Sequence, residues 1–215
     1  METLVRSYVV MTLVLTLYAQ YAQSPESRLK IEIQVYNYSG VSAATLQQAE
    51  RDAARIYGGM DIEISWLYCP FTADQAAQNT ACGQPASPTR LTLRLLSNAM
   101  AERLPLGGDI FGLALLPVDG GLGMTANVCA GRAREMAEAR HVPEGLLLGH
   151  LMAHEVGHLL LGSSRHSVKG LMHIPWQGKE LQMMSQGAML FTSGEAERIR
   201  AQVLARANSF SSELK

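Results

Sequence analysis

The feature that most constrains this fold is an apolar segment between Pro143 and Gly162. Leucine, methionine and valine fall on nearly every side of a helical projection of this segment. Proline suits the first turn of a helix and glycine its end, which predicts one helix running from Pro143 to Leu161. A helix that is apolar all round is buried inside a domain. The rest of the chain must therefore fold around this helix, and its few polar side chains need a specific role.

Three of those polar residues are His154, Glu155 and His158, in the pattern HExxH. Four residues correspond to about 40° around a helix and one turn along it, so both imidazoles point to one place, as two zinc ligands must. Glu155 is directed about 100° away from His154, where it can reach a water on the metal and act as its base. The alternative interpretation is a pair of hydrogen-bonded core histidines with Glu155 at the surface.

A hydrolytic zinc site usually has three protein ligands and leaves a fourth position for water. We favour His166 as the third ligand, because Gly162 permits a sharp turn and residues 163–165 bring the chain back towards the helix. The rival ligands are three downstream glutamates, Glu180, Glu195 and Glu197. His150 lies one turn before His154 on the same face; we interpret it as a core histidine, with lining of the cleft as the alternative.

The segment HEVGHLLLGSSRHSVKGLM, residues 154–172, resembles the HExxHxxGxxH motif and following Met-turn of the metzincin zinc endopeptidases, and its second half is similar to the matrixin version. In this chain the glycine comes one residue late, and the third histidine lies eight residues after His158 instead of six. The resemblance implies that His154, His158 and His166 are zinc (Zn²⁺) ligands and that Glu155 is the general base. It also implies that Gly162 is the turn glycine and Met172 the Met-turn residue.

The expected function is that of a zinc metalloendopeptidase, a hydrolase that cleaves peptide or protein substrates through a metal-activated water with Glu155 as general base. The alternative is an exported zinc-binding or structural domain without peptidase activity. A purely structural zinc site is usually closed by four ligands and needs no base, so Glu155 favours the enzyme. By analogy with the clan, residues 123–128 are a candidate edge strand for a peptide, with an ordinary inner strand as the equal alternative. No tyrosine or histidine after Met172 is an evident oxyanion donor.

The expected fold class is α+β and metzincin-like, with a small, twisted, mostly parallel sheet, an active-site helix and a C-terminal helix. The patterns predict a first helix with Ser42 as N-cap, a short helix at residues 131–138, and a final helix beginning near Thr192 to Glu195 with a capping-box spacing. Alternating or β-rich stretches predict five strands, at residues 29–36, 62–67, 91–96, 111–116 and 124–128.

Composition bounds the domain count and the partners. A chain of 215 residues, 47% hydrophobic and 17% charged, fits one well-filled core, which we assign to residues 24–215 as a single domain and expect to be monomeric. The formal net charge of −1 lacks the basic excess of a phosphate-binding domain, so no nucleic-acid partner is expected.

The N-terminus indicates export. Arg6 precedes an apolar run at residues 8–18, and small residues precede a polar stretch, which is typical of a signal peptide over residues 1–23. The alternatives are an uncleaved anchor and a buried first helix or strand. We expect a secreted or periplasmic protein without stable membrane association after signal removal. A disulfide between Cys69 and Cys82 would suit such a compartment and leave Cys129 unpaired. The equal alternative is that all three cysteines are unbridged and act as small buried hydrophobic residues.

Overall fold

The computed structural model describes residues 28–70, 80–84, 87–104, 107 and 110–213, so the predicted signal peptide lies outside the described part. Within it the strands are β1 (Leu29–Asn37), β2 (Ile62–Tyr68), β3 (Arg90–Leu96), β4 (Gly112–Leu115) and β5 (Thr125–Cys129). The helices are α1 (Ala43–Gly58), α2 (Asn98–Ala101), α3 (Ala130–Arg140), α4 (Glu144–Leu161), α5 (Gly178–Ser185) and α6 (Ser193–Glu213), and Thr80–Gly83 forms a 3₁₀ turn.

The strands form one sheet in the order β2-β1-β3-β5-β4. All neighbours are parallel except β4 and β5, which are antiparallel. The predicted alternation in β1 is real, because Ile31, Ile33 and Val35 are buried in the core. The α+β class with a small, mostly parallel sheet is therefore confirmed.

The structure decides between the two interpretations of residues 123–128. Strand β5 lies between β3 and β4, so the edge candidate is wrong and the inner-strand alternative is correct. Nine residues, 116–124, connect β4 to β5, and the chain returns antiparallel beside the strand it has left. The free edge on this side of the sheet consequently belongs to β4.

The buried position predicted for α4 is confirmed. The helix begins after Pro143 and ends at Gly162, whose φ of 60° is left-handed and favours glycine. It packs closely on α1: a Cβ on Gly149 would lie 2.5 Å from the main-chain oxygen of Ala49. Every residue from Leu147 to Leu160 is buried. Since α4 contacts the sheet as well, any polar group on it faces either the core or a cleft.

Two local predictions at the helix ends are also confirmed. Ser42 caps α1 by accepting a hydrogen bond from the main-chain N–H of Thr45 at 3.1 Å. Thr192 and Glu195 form the reciprocal contacts of a capping box at the start of α6. Helix α5 was not predicted. The helix has only eight residues, and only two of them, Leu181 and Met184, are buried.

The cysteines separate into a pair and a single thiol. Cys69 and Cys82 form a disulfide, with their Cα atoms 5.7 Å apart. Cys129 is free and buried at the end of β5. None of the described helices is both long enough and apolar enough to cross a bilayer.

Candidate metal centre

Three histidines converge beside α4. The Nε2 atoms of His154 and His158 are 3.1 Å apart, and those of His158 and His166 are 3.3 Å apart. One ligand nitrogen from each lies within 4.8 Å of the other two. Across the described ranges, no second group of three or more histidine, cysteine or acidic side chains comes this close. The structure thus brings together the three residues that the sequence analysis proposed as ligands.

Backbone carbonyls orient two of these rings. His154 Nδ1 donates to the carbonyl oxygen of Leu171 at 2.8 Å, and His158 Nδ1 donates to that of Ser163 at 2.6 Å. A carbonyl oxygen only accepts, so the hydrogen of each neutral ring is on Nδ1 and Nε2 carries a lone pair. This outer hydrogen bond is the usual support of a metal-binding histidine. The two facing Nε2 lone pairs repel unless a cation lies between them.

All three imidazoles are held in the neutral form that binds metals. Burial, with the charge of His158 second, lowers the pKa of His154 to about 3. The pKa of His158 is lowered by burial, and that of His166 by burial and then by the charge of His173. Neutral imidazole offers a nitrogen lone pair and brings no charge of its own.

The return of the chain to His166 depends on the end of α4. Gly162 is left-handed, and the main-chain N–H of Ser163 donates to the carbonyl of His158 at 3.3 Å, which closes the helix and turns the chain back. His166 is placed beside His158 despite the two residues added relative to the metzincin spacing. One of the added residues precedes Gly162 and extends the helix, and the other lies between Gly162 and His166.

The rival glutamates lie elsewhere. Glu195 is buried, but its carboxylate accepts hydrogen bonds from the Ser167 hydroxyl and from the main chain of Thr192. Glu180 accepts from the main chain of Gln177 at the start of α5, and Glu197 is exposed. The carboxylates of Glu195 and Glu180 therefore accept hydrogen bonds from the main chain at the start of α6 and α5. None of the three glutamates joins the histidine cluster.

His150 behaves as a core residue. It is fully buried on α4, and its Nδ1 lies 2.8 Å from the carbonyl oxygen of Leu146 one turn earlier. Burial lowers its pKa, which keeps the ring neutral. It does not line the cavity described below.

Glu155 lies between α4 and the edge strand β4. Its side chain is buried, and burial raises its pKa to about 8, although a hydrogen bond from the main-chain N–H of Ala114 acts in the opposite direction. Oε2 has no hydrogen-bond partner among the described residues. A Cβ on Gly112 would lie only 2.3 Å from Oε1, so the absence of a side chain there makes room for the carboxylate.

A cavity of about 520 Å³ opens beside the three histidines and Glu155. The rest of its wall is largely apolar, with contributions from Phe111, Leu113, Met136, Leu151, Pro175 and Trp176. Trp176 also packs edge-on against the ring of His154, with centroids 5.5 Å apart. The arrangement combines a metal-ligand set and a carboxyl group with a chamber large enough for a side chain.

The predicted Met-turn residue, Met172, is buried below α4. Its sulfur lies 3.0 Å from where a Cβ of Gly157 would be. Sequence reasoning overlooked Gly112 and Trp176. A glycine inside a predicted strand indicates that another group approaches the strand closely, so the sequence held a signal for Gly112. Trp176 carried no comparable signal.

No protein-family model and no curated protein matches the chain. Among solved structures it is similar to a zinc-dependent peptidase from Methanocorpusculum labreanum, with a TM-score of 0.47 and 16% identity over 80% of this chain and 99% of that one. It is also similar to archaemetzincin from Methanopyrus kandleri, with a TM-score of 0.45 and 16% identity over 84% and 99%. Likenesses this distant assign no function.

Proposed function

We propose that this chain is a zinc-dependent endopeptidase in which His154, His158 and His166 bind the metal and Glu155 is the general base. The observation that carries the proposal is the convergence of the three Nε2 atoms beside a buried carboxyl group at one wall of a cavity. Three protein ligands leave a fourth tetrahedral position for water or substrate, which distinguishes a hydrolytic site from a closed structural one.

The donor set fits zinc. Zn²⁺ accepts imidazole nitrogen readily and imposes no strict geometry, and neutral, carbonyl-anchored histidines are its usual ligands. The carbonyls of Leu171 and Ser163 provide that anchoring for His154 and His158. Bound at such a site, zinc would lower the pKa of water to about 7 and would polarise a substrate carbonyl.

Glu155 performs the proton transfers in this proposal. Its carboxylate would accept a proton from the attacking water as the new carbon–oxygen bond forms, and would then donate that proton to the amine nitrogen as the carbon–nitrogen bond breaks. The raised pKa suits the second step, donation to the amine, because burial favours the protonated form of Glu155. A cation bound by the histidines would lower this pKa towards the carboxylate form.

The substrate in this proposal is an extended peptide or protein segment that pairs with the edge strand β4. An exposed strand edge offers unpaired main-chain groups that add a strand from another chain. Residues Gly112 to Ala114 of β4 also line the cavity, so a peptide on this edge would pass the three histidines and present one side chain to the apolar wall. Cleavage inside an extended segment is endopeptidase activity.

We further propose that the protein acts outside the cytosol as a monomer, after removal of residues 1–23. The disulfide between Cys69 and Cys82 supports an oxidising compartment, where such bonds persist. A secreted or periplasmic peptidase would meet protein substrates there without stable membrane association.

Metal analysis combined with a peptide-cleavage assay tests the proposed function. We expect one zinc per chain in the wild type, a large loss of zinc in His166→Ala, and full zinc in Glu195→Gln, which removes the charge of the main rival ligand and keeps its shape. Cleavage of an unfolded protein substrate should follow zinc content and stop with a chelator. A wild-type protein that binds zinc and cleaves no peptide would indicate the alternative, a zinc-binding domain without peptidase activity.

A further inference from the structure

We propose that Gly112 of the edge strand β4 is the seat of the Glu155 carboxylate, which makes it a positioning residue for the general base. This inference rests on the proposed function, because it assigns the placement of the base to β4. Gly112 does not belong to the HExxH segment, and it lies about forty residues before Glu155 in the sequence.

The first support is steric. A Cβ on Gly112 would lie 2.3 Å from Oε1, 2.4 Å from Cδ and 2.6 Å from Cγ of Glu155. These distances are far shorter than any contact that a real Cβ makes, so a side chain at position 112 and the observed position of Glu155 exclude one another. Glu155 is 5% exposed and is enclosed between α4 and β4. The carboxylate therefore has to leave its place if position 112 gains a methyl group.

The second support is the direction of the main chain in β4. The N–H of Cys129 donates to the carbonyl of Phe111, and Leu113 lies opposite Asn127 two residues further on. Hydrogen-bonded and non-bonded pairs alternate in an antiparallel ladder, so the peptide groups of Gly112 and Ala114 point away from β5 towards the free edge. Glu155 therefore meets β4 at Gly112, a residue whose main-chain groups are not engaged by β5.

The seat faces one carboxylate oxygen. Oε1 is the atom nearest to the place of a Cβ on Gly112, and Oε2 is buried with no hydrogen-bond partner among the described residues. A side chain at position 112 would therefore displace the carboxylate from the strand. The strand that offers its edge to an extended peptide thus also sets the orientation of the base.

The test is Gly112→Ala, compared with Gly194→Ala, where a Cβ meets nothing within 4 Å. In Gly112→Ala we expect zinc content to equal that of the wild type and kcat to fall by about 100-fold, as for loss of a general base. The melting temperature should fall by about 2–10 °C, the range for inserting a methyl group into a packed site of a domain this size. Gly194→Ala should leave all three quantities unchanged.

A double-mutant cycle separates this contact from general damage to the strand. In a Glu155→Ala background the carboxylate is gone, so Gly112→Ala should no longer lower the melting temperature. An equal fall in both backgrounds, or a wild-type kcat in Gly112→Ala, would overturn the seat. If the wild type cleaves no peptide, the proposed function and the catalytic role of the seat both fail, whereas the melting-temperature cycle still decides whether the contact exists.

Discussion

At the residue scale, the site is built around two imidazole rings whose second nitrogen is already engaged. His154 and His158 are fixed through Nδ1, so each ring presents Nε2 as its free atom. The Glu155 carboxyl group is confined by burial beside Gly112 of β4. Such preorganisation means that little side-chain motion is needed when a metal and a substrate bind.

Glu155→Gln should separate metal binding from proton transfer. Glutamine has nearly the same shape as glutamate but accepts no proton in this pH range, so zinc content should be unchanged while kcat falls by about 10²–10⁴-fold. Zinc analysis and steady-state cleavage kinetics measure the two effects. Glu138→Gln, on the exposed side of α3, is the control for loss of one negative charge. Full activity in Glu155→Gln would contradict the proposed mechanism.

At the element scale, α4 connects the core to the site along its whole length. One part of the helix packs closely on α1 at Gly149, and another carries the two histidines. Gly157 lies over Met172 and the ring of Phe191: a Cβ at this position would be 3.0 Å from the Met172 sulfur and 2.7 Å from Cε1 of Phe191. Because Leu171 orients His154, the packing below Gly157 and the metal site share one segment.

Gly157→Ala should therefore destabilise the protein although alanine favours helices. The gain in helix propensity is about 1 kcal/mol, whereas overpacking a filled core costs about 1–3 kcal/mol. We expect a lower melting temperature and weaker zinc retention in competition with a chelator, because the segment at 171–172 must shift. Gly58→Ala, at the end of α1 where a Cβ meets nothing within 4 Å, should be neutral or stabilising. Unchanged stability and zinc affinity in Gly157→Ala would contradict the described packing.

At the scale of the whole molecule, Arg206 joins the C-terminal helix to three other parts of the fold. It is 1% exposed, and its guanidinium donates to the carbonyl oxygens of Pro88, Gly123 and Leu159 at 3.1, 3.1 and 2.8 Å. Leu159 lies in the last turn of α4, where carbonyls lack helical partners and a cation is favourable. Burial lowers the pKa of Arg206. The contacts of this one side chain hold α6, α4 and the approaches to β3 and β5 together.

Arg206→Met should cost at least about 3 kcal/mol of unfolding free energy, because it removes charge-assisted hydrogen bonds from three carbonyls in the interior. Arg206→Lys should lie between the wild type and the methionine variant, since an ammonium group cannot span the same acceptors. Chemical denaturation of the three proteins gives the order. A methionine variant as stable as the wild type would show that the guanidinium is replaceable by apolar packing. Arg198→Met, on the exposed side of α6, is the matched control.

The amino-acid sequence by itself determined the features that depend on neighbours in the chain. It predicted α4 with both ends, the cap at Ser42 and the capping box at Thr192, because periodicity and capping act over one or two turns. It also predicted that His154 and His158 share a face, since helix geometry alone sets their relation. The three-histidine set followed with the help of the metzincin resemblance.

Only the tertiary structure decided which residues distant in the chain meet. The pairing of β5 between β3 and β4, the seat of Glu155 on Gly112 and the engagement of Glu195 by Ser167 all join segments far apart in sequence. Whether Cys69 and Cys82 form a disulfide or all three cysteines stay unbridged was also decided by the tertiary structure. Such contacts arise because elements compete to cover the apolar faces of α4 and the sheet. That competition is decided by packing the whole domain, which no local pattern records.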